Sequence, residues 1–233
     1  MHRLAVRSLL LLTVLAFTVT LAPGGPKNDF LRQYKGKPFH DNRYQAGPQR
    51  VPGVVLCAYY DLGGEGVAFH TADTKNHGSG ELNPANGDYL NEFRKGEAVG
   101  TSYTKFGREP AIDDSEYNLV TPPSNLQYVG WTKPGEWFNL TVEVAETRDY
   151  SVDLLYTSFH GGSISFDVNG ESATQPLLIR STWDPNDPLD WRQWHHWNRA
   201  EGFVRLHLTS GRNVITVHIV TEGEMNLAIL NFK

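Results

Sequence analysis

From residue 127 to the end of the chain, apolar residues recur at every second position, and a side-chain period of two belongs to extended strands with opposite faces. Phe138, Leu140, Val142 and Val144 alternate with Asn139, Thr141 and Glu143, which predicts a strand with one buried and one wet face. Tyr150, Val152, Leu154 and Tyr156 form the next set, and Ile164, Phe166 and Val168 a third that closes on the turn dipeptide Asn169-Gly170. Val204, Leu206 and Leu208 lead into the turn Ser210-Gly211-Arg212-Asn213. Val214 to Val220 is then apolar on both faces, as a strand central in its sheet would be. Short strands at this spacing, without an amphipathic helix, predict an all-β fold, a two-sheet β-sandwich of the jelly-roll type.

Between Thr71 and Asn125 the period fails, and Asn, Gly, Asp and Pro dominate. A connection that long is expected to be functional or a protective cover, with long loops at one end of the sandwich. Residues 26–50 are polar and punctuated by Gly and Pro, so they are expected as an extended tail or linker without a fold of its own, and the sandwich domain is placed at 51–233. At the start, Arg3 and Arg7 precede an apolar stretch from Leu9 to Ala22 that runs into Pro23-Gly24-Gly25-Pro26. This is the layout of a secretory signal peptide, placed at residues 1–25, and it implies an extracellular or periplasmic protein rather than a membrane-anchored one. A net charge of -5 with no run of Lys or Arg leaves nothing to neutralise phosphates or to dock on anionic lipid, which argues against nucleic acid and membrane surfaces as partners. Cys57 is the single cysteine, so no intramolecular disulfide forms, and stability must come from a sizeable hydrophobic core that buries the thiol.

Six Trp and ten Tyr exceed what such a core needs, and several stand beside Gly, Pro or charge. In Tyr128-Val-Gly-Trp-Thr-Lys-Pro-Gly-Glu-Trp137, Trp131 precedes a Pro-Gly turn and reads as loop-presented, whereas Trp137 starts a strand and reads as core-edge. A second cluster, Trp183 to Trp197, lies in a Pro- and Asp-rich connection. Indole faces held on a loop suit the apolar C–H face of a sugar ring, with amides and carboxylates nearby for its hydroxyls. Trp191, between Asp190 and Arg192, is expected to touch ligand, while Trp194 and Trp197 are expected to plug the open end of the sandwich.

Enzymatic chemistry finds less support. Glu65, Glu136, Asp184, Asp187 and Asp190 show no recognisable pairing of the kind a glycosidase needs, and no Gly-x-Ser-x-Gly elbow is present. His195 and His196 are adjacent, so on an extended chain they point to opposite faces and cannot chelate one metal together, and His70, His77 and His160 could converge only through the fold. The sequon Asn139-Leu-Thr141 lies inside a regular strand.

From about Pro38 to Lys233 the chain resembles carbohydrate-binding module family 6, with its relatives in families 35 and 36. The resemblance is carried by Tyr60-Asp-Leu-Gly-Gly-Glu-Gly-Val-Ala-Phe-His70, Val129-Gly-Trp-Thr-Lys-Pro-Gly-Glu-Trp137, Asp190-Trp-Arg-Gln-Trp194 and Met225-Asn-Leu-Ala-Ile-Leu-Asn-Phe232. It implies a galactose-binding-like jelly roll that clasps a polysaccharide or oligosaccharide between two aromatic rings, here Trp131 and Trp191, with Asn226 bonding its hydroxyls and no catalytic residues. It also implies a structural calcium held by two acids on the first core strand. Leu56 and Ala58 stand at those positions, which sets this chain against the calcium and leaves carbonyls and the acidic 60–65 segment as the remaining oxygen donors. Two other functions stay open: a glycoside hydrolase-like enzyme with its site in 71–125, and a surface adhesion protein that uses the sandwich without a sugar cleft.

Overall fold

Two β-sheets pressed face to face follow from the period-two alternation, because each strand has one apolar side to bury. The structure, a computed structural model, describes residues 26–233, and the signal peptide expected at 1–25 lies outside the described residues. In chain order the elements are α1 (Pro26–Gln33), β1 (Gln49–Val51), β2 (Gly53–Leu56), β3 (Phe69–His70), β4 (Ser79–Gly80), β5 (Asn83–Pro84), β6 (Thr101–Tyr103) and β7 (Gln127–Val129). There follow β8 (Trp137–Val144), β9 (Arg148–Ser158), β10 (Gly162–Val168), β11 (Glu171–Ser172), β12 (Leu177–Ile179), β13 (Asn198–Leu208), β14 (Gly211–Thr221) and β15 (Met225–Phe232).

One sheet runs β1-β8-β14-β10-β11, with β3 also on β8 and β12 on β10. The other runs β13-β9-β15-β7-β6, with β2 also on β15, while β4 and β5 form a separate pair. Strands β8, β9 and β10 thus alternate between sheets, as do β13, β14 and β15, so the connections cross from one sheet to the other in jelly-roll fashion. Strand β14 lies between β8 and β10, the central place its two apolar faces require. Leu140, Phe166 and Ile215 of the first sheet and Leu154, Leu206 and Leu230 of the second belong to one buried core between the layers. Cys57 is part of it, and burial pushes its thiol well above the usual range, which makes it inert.

The outer face of β8 departs from expectation. Asn139 and Thr141, expected on the wet side, are each only 4% exposed. The chain around Asp61 to Ala68 crosses over them: Asn139 Nδ2 donates to the Val67 carbonyl at 3.0 Å, and Thr141 Oγ1 donates to Asp61 Oδ2 at 2.6 Å. Strand alternation marks which side chains share a face but does not say what covers that face. The Asn139 sequon is consequently sealed in the fold.

Residues 26–50 lie across this covered face. Phe30 of α1 packs on Gly170, where a Cβ would come within 2.4 Å of the ring, and the Tyr34 hydroxyl donates to Asp61 Oδ2 at 2.7 Å. Phe39 is buried with Ala58 and Phe93, and β1 pairs in parallel with β8. The boundary expected at residue 51 therefore falls inside β1. A three-residue edge strand and a single buried Phe are too short to show a period.

Candidate functional site

At one end of the sandwich three pieces of chain meet: the turn between β7 and β8, the connection between β12 and β13, and the start of β15. The first carries Trp131, which has a positive φ of 53°. That conformation costs a bulky residue roughly 1 kcal/mol or more and persists only where neighbours hold it. They do so here from both sides. Gly130 N donates to the Gly100 carbonyl at 2.9 Å, Glu224 N to the Thr132 carbonyl at 2.7 Å, and Met225 N to Thr132 Oγ1 at 3.0 Å. The indole itself lies on two glycines: a Cβ on Gly78 would come within 2.6 Å of it and one on Gly100 within 3.0 Å. Both glycines belong to the aperiodic 71–125 connection, which is fastened down by Asn76. The Asn76 side chain accepts from the amides of Gly78, Ser79 and Thr101 at 3.0 Å each and donates to Thr101 Oγ1 at 2.8 Å.

The second piece presents Trp191 on a tight turn, half-exposed at 52%. Beneath it, the guanidinium of Arg192 forks onto the fully buried Asp187, Nε to Oδ2 at 2.6 Å and Nη2 to Oδ1 at 2.9 Å. His196 Nε2 lies 2.9 Å from the same carboxylate, and its Nδ1 3.0 Å from the Thr182 carbonyl. Burial alone would raise the Asp187 carboxyl, but the bonds from Arg192 and His196 outweigh it and hold the group down at about 2. Arg192 thus braces the turn that carries Trp191.

Trp131, Trp191 and Asn226, three residues far apart in sequence, line one cleft of about 600 Å³. Trp194, Tyr128 and His195 contribute further rings, and Asn83, Lys105 and Glu224 contribute polar groups. Asn83 Oδ1 is the one buried side-chain oxygen without a hydrogen-bond partner among the described residues. Burial pushes the Lys105 ammonium below its usual range, against the pull of Asp113. Trp197 is fully buried as expected, its Nε1 donating to Asp113 Oδ1 at 2.6 Å, whereas Trp194, expected as a plug, stands partly exposed on the cleft wall. Asn83, Lys105 and His195 were not singled out for the site. The first two lie in a segment with no period, and His195 resembles any surface histidine until Asp113 is folded against it.

The calcium implied by the resemblance does not fit. Ala58 is fully buried among Phe39, Phe93, Tyr44, Tyr59 and Tyr89, and Leu56 packs against the cluster of Leu126, Tyr128 and Trp197. The carbonyls of Tyr60 and Asp61 accept from the guanidinium of Arg94, itself 3.4 Å above the Tyr60 ring, and the Glu65 carboxylate is engaged by His70. An organic cation and apolar side chains take the places where a hard metal would need carboxylates. Among the described residues no group of three or more His, Cys, Asp or Glu is placed to hold a metal ion.

No protein-family model matches the chain, and no curated protein does. Solved structures similar to it include a family 35 carbohydrate-binding module from Clostridium thermocellum, at 18% identity over 48% of this chain and 80% of that module, with a TM-score of 0.37. A family 6 carbohydrate-binding module from Clostridium stercorarium in complex with cellobiose is 8% identical over 81% of this chain and 98% of that one, with a TM-score of 0.44. A glycoside hydrolase family 43 arabinoxylan arabinofuranohydrolase from Bacillus subtilis is 12% identical, with a TM-score of 0.45, and the match covers 81% of this chain and 28% of the enzyme.

Proposed function

We propose that this chain is a secreted, non-catalytic carbohydrate-binding module that clasps a sugar of a polysaccharide or oligosaccharide between Trp131 and Trp191, with Asn226 bonding its hydroxyls. The observation that carries the reading is the cleft, into which the fold brings indoles from two separate loops, each fixed by its own backbone and ion-pair scaffold. Aromatic walls with a few fixed polar groups between them are what the two-sided chemistry of a sugar ring calls for.

A glycosidase sets two carboxylates across the bond it cuts. Glu224 is the one carboxylate among the residues lining this cleft, which favours binding over hydrolysis. A glycan array probed with the protein lacking residues 1–25, followed by a search for released sugar, tests the proposal. Retention on a defined set of glycans without product release is expected. Release of shorter sugars would make the chain an enzyme, and no retention on any glycan would overturn the binding role.

A further inference from the structure

Asn226 is 3% exposed, and its amide nitrogen donates to Thr157 Oγ1 at 2.8 Å and to His195 Nδ1 at 3.0 Å. Both amide hydrogens are thereby used. The amide oxygen turns the other way, towards Gly130, where a Cβ would come within 2.5 Å of it. It accepts from no described residue and is not among the buried side-chain atoms sealed without a partner, so it is free to accept from a ligand.

His195 decides which way that amide faces. Its Nε2 lies 2.8 Å from Asp113 Oδ1, and the same carboxylate receives Trp197 Nε1 at 2.6 Å and, on its other oxygen, the Lys105 amide at 2.7 Å. These bonds keep the Asp113 carboxyl below its usual range against the opposing effect of burial. An ionised carboxylate only accepts, so Nε2 carries the hydrogen and Nδ1 of the neutral ring is left as the acceptor that Asn226 requires.

Resting on the sugar-binding reading of the cleft, we propose that His195 is a positioning residue: anchored by Asp113 and accepting at Nδ1, it holds the Asn226 amide oxygen towards the sugar hydroxyls. The other tautomer, with its hydrogen on Nδ1, would reverse this arrangement. Nδ1–H then faces the amide, which must turn over to offer its oxygen, and the Thr157 hydroxyl can rotate to donate to the same atom. The cleft now meets the NH2 group in place of an acceptor. The residues packed against His195 are Asp113, Tyr128 of β7, whose ring is 6.1 Å away, Trp194 and Trp197 of its own connection, and Asn226 of β15.

Two measurements test the proposal. In the unliganded protein, 15N spectra at pH 7.5 should show His195 with its hydrogen on Nε2 and with Nδ1 unprotonated, accepting from the Asn226 side-chain amide. For the oligosaccharide retained most strongly on the array, His195→Phe, which keeps a ring but offers no acceptor, should bind about tenfold more weakly than wild type at pH 7.5, the ratio given by one hydrogen bond near the top of its usual range. His195→Asn, whose amide oxygen restores an acceptor near the place of Nδ1 but loses the anchor on Asp113, should recover part of that affinity, a rescue that a merely structural role for the ring would not give. A ring carrying its hydrogen on Nδ1 at pH 7.5, or His195→Phe binding like wild type, would overturn the proposal. Absence of any glycan binding would instead sink the cleft's proposed function, and the spectra would still judge the orientation of Asn226.

Discussion

Trp191→Ala should weaken glycan binding by at least about tenfold while the protein melts like wild type. The indole is half-exposed on a turn and supports no part of the core. Its removal takes away one wall of the cleft, and interface aromatics of this kind often cost about 2 kcal/mol or more when cut to alanine. Trp131→Ala should cost at least as much affinity, but it should also lower the melting temperature. The ring fills the space above Gly78 and Gly100, and its removal leaves the end of the 71–125 connection without a partner. Titration calorimetry and thermal melts of the two variants separate these effects. Normal binding by both variants would move the site away from this cleft.

A second large effect is expected at Asp187. Asp187→Ala strands the buried Arg192 guanidinium, and breaking a buried pair by removing one partner typically costs about 3–5 kcal/mol. For a chain of this size that corresponds to a fall in melting temperature of roughly 6–12 °C if the loss is felt by the whole domain. Binding should weaken as well, because the turn that presents Trp191 loses its brace. The acid dependence follows from the sign of the shift. The Asp187 carboxyl is lowered from 3.8 to about 2 in the folded protein, so its contribution is fully present above about pH 4 and is lost as pH falls towards 2. The wild type should therefore lose part of its stability across that window, and Asp187→Ala should lose less there. Equal acid sensitivity of the two proteins would mean that the carboxylate is not what secures the turn.

Legibility in the sequence followed the length over which a pattern repeats. Strands β8, β9, β10 and β13 each show several turns of the two-residue period and β14 a run apolar on both faces, and the topology uses them as these patterns imply. Strand β6 does not: Thr101, Ser102 and Tyr103 are all buried, so its three residues carry no contrast between faces. The same limit hid the covering of Asn139 and Thr141, since the groups that cover them come from residues some seventy to eighty positions earlier. At the cleft, aromatic residues beside turn signals were conspicuous, and Trp131 and Trp191 do line one cavity with Asn226. Trp194, Asn83 and His195 owe their places to contacts no local pattern encodes. The bracing role of Arg192 was hidden for a related reason: its counter-ion Asp187 meets it only once the turn is folded.

The scaffolding around the two indoles bears on how selective such a cleft can be. With Trp131 held on glycine backbones and the Trp191 turn pinned from below, the backbone that carries the two walls is set on folding. Little conformational freedom then remains to be lost in the encounter, so more of the contact energy appears as affinity. The same stiffness works against breadth. A slot that cannot widen excludes a ring bearing a bulky branch at the clasped face, and one that cannot narrow grips a thinner ligand poorly. Discrimination among glycans would then come from the fixed width of the gap as much as from the hydrogen bonds at its floor.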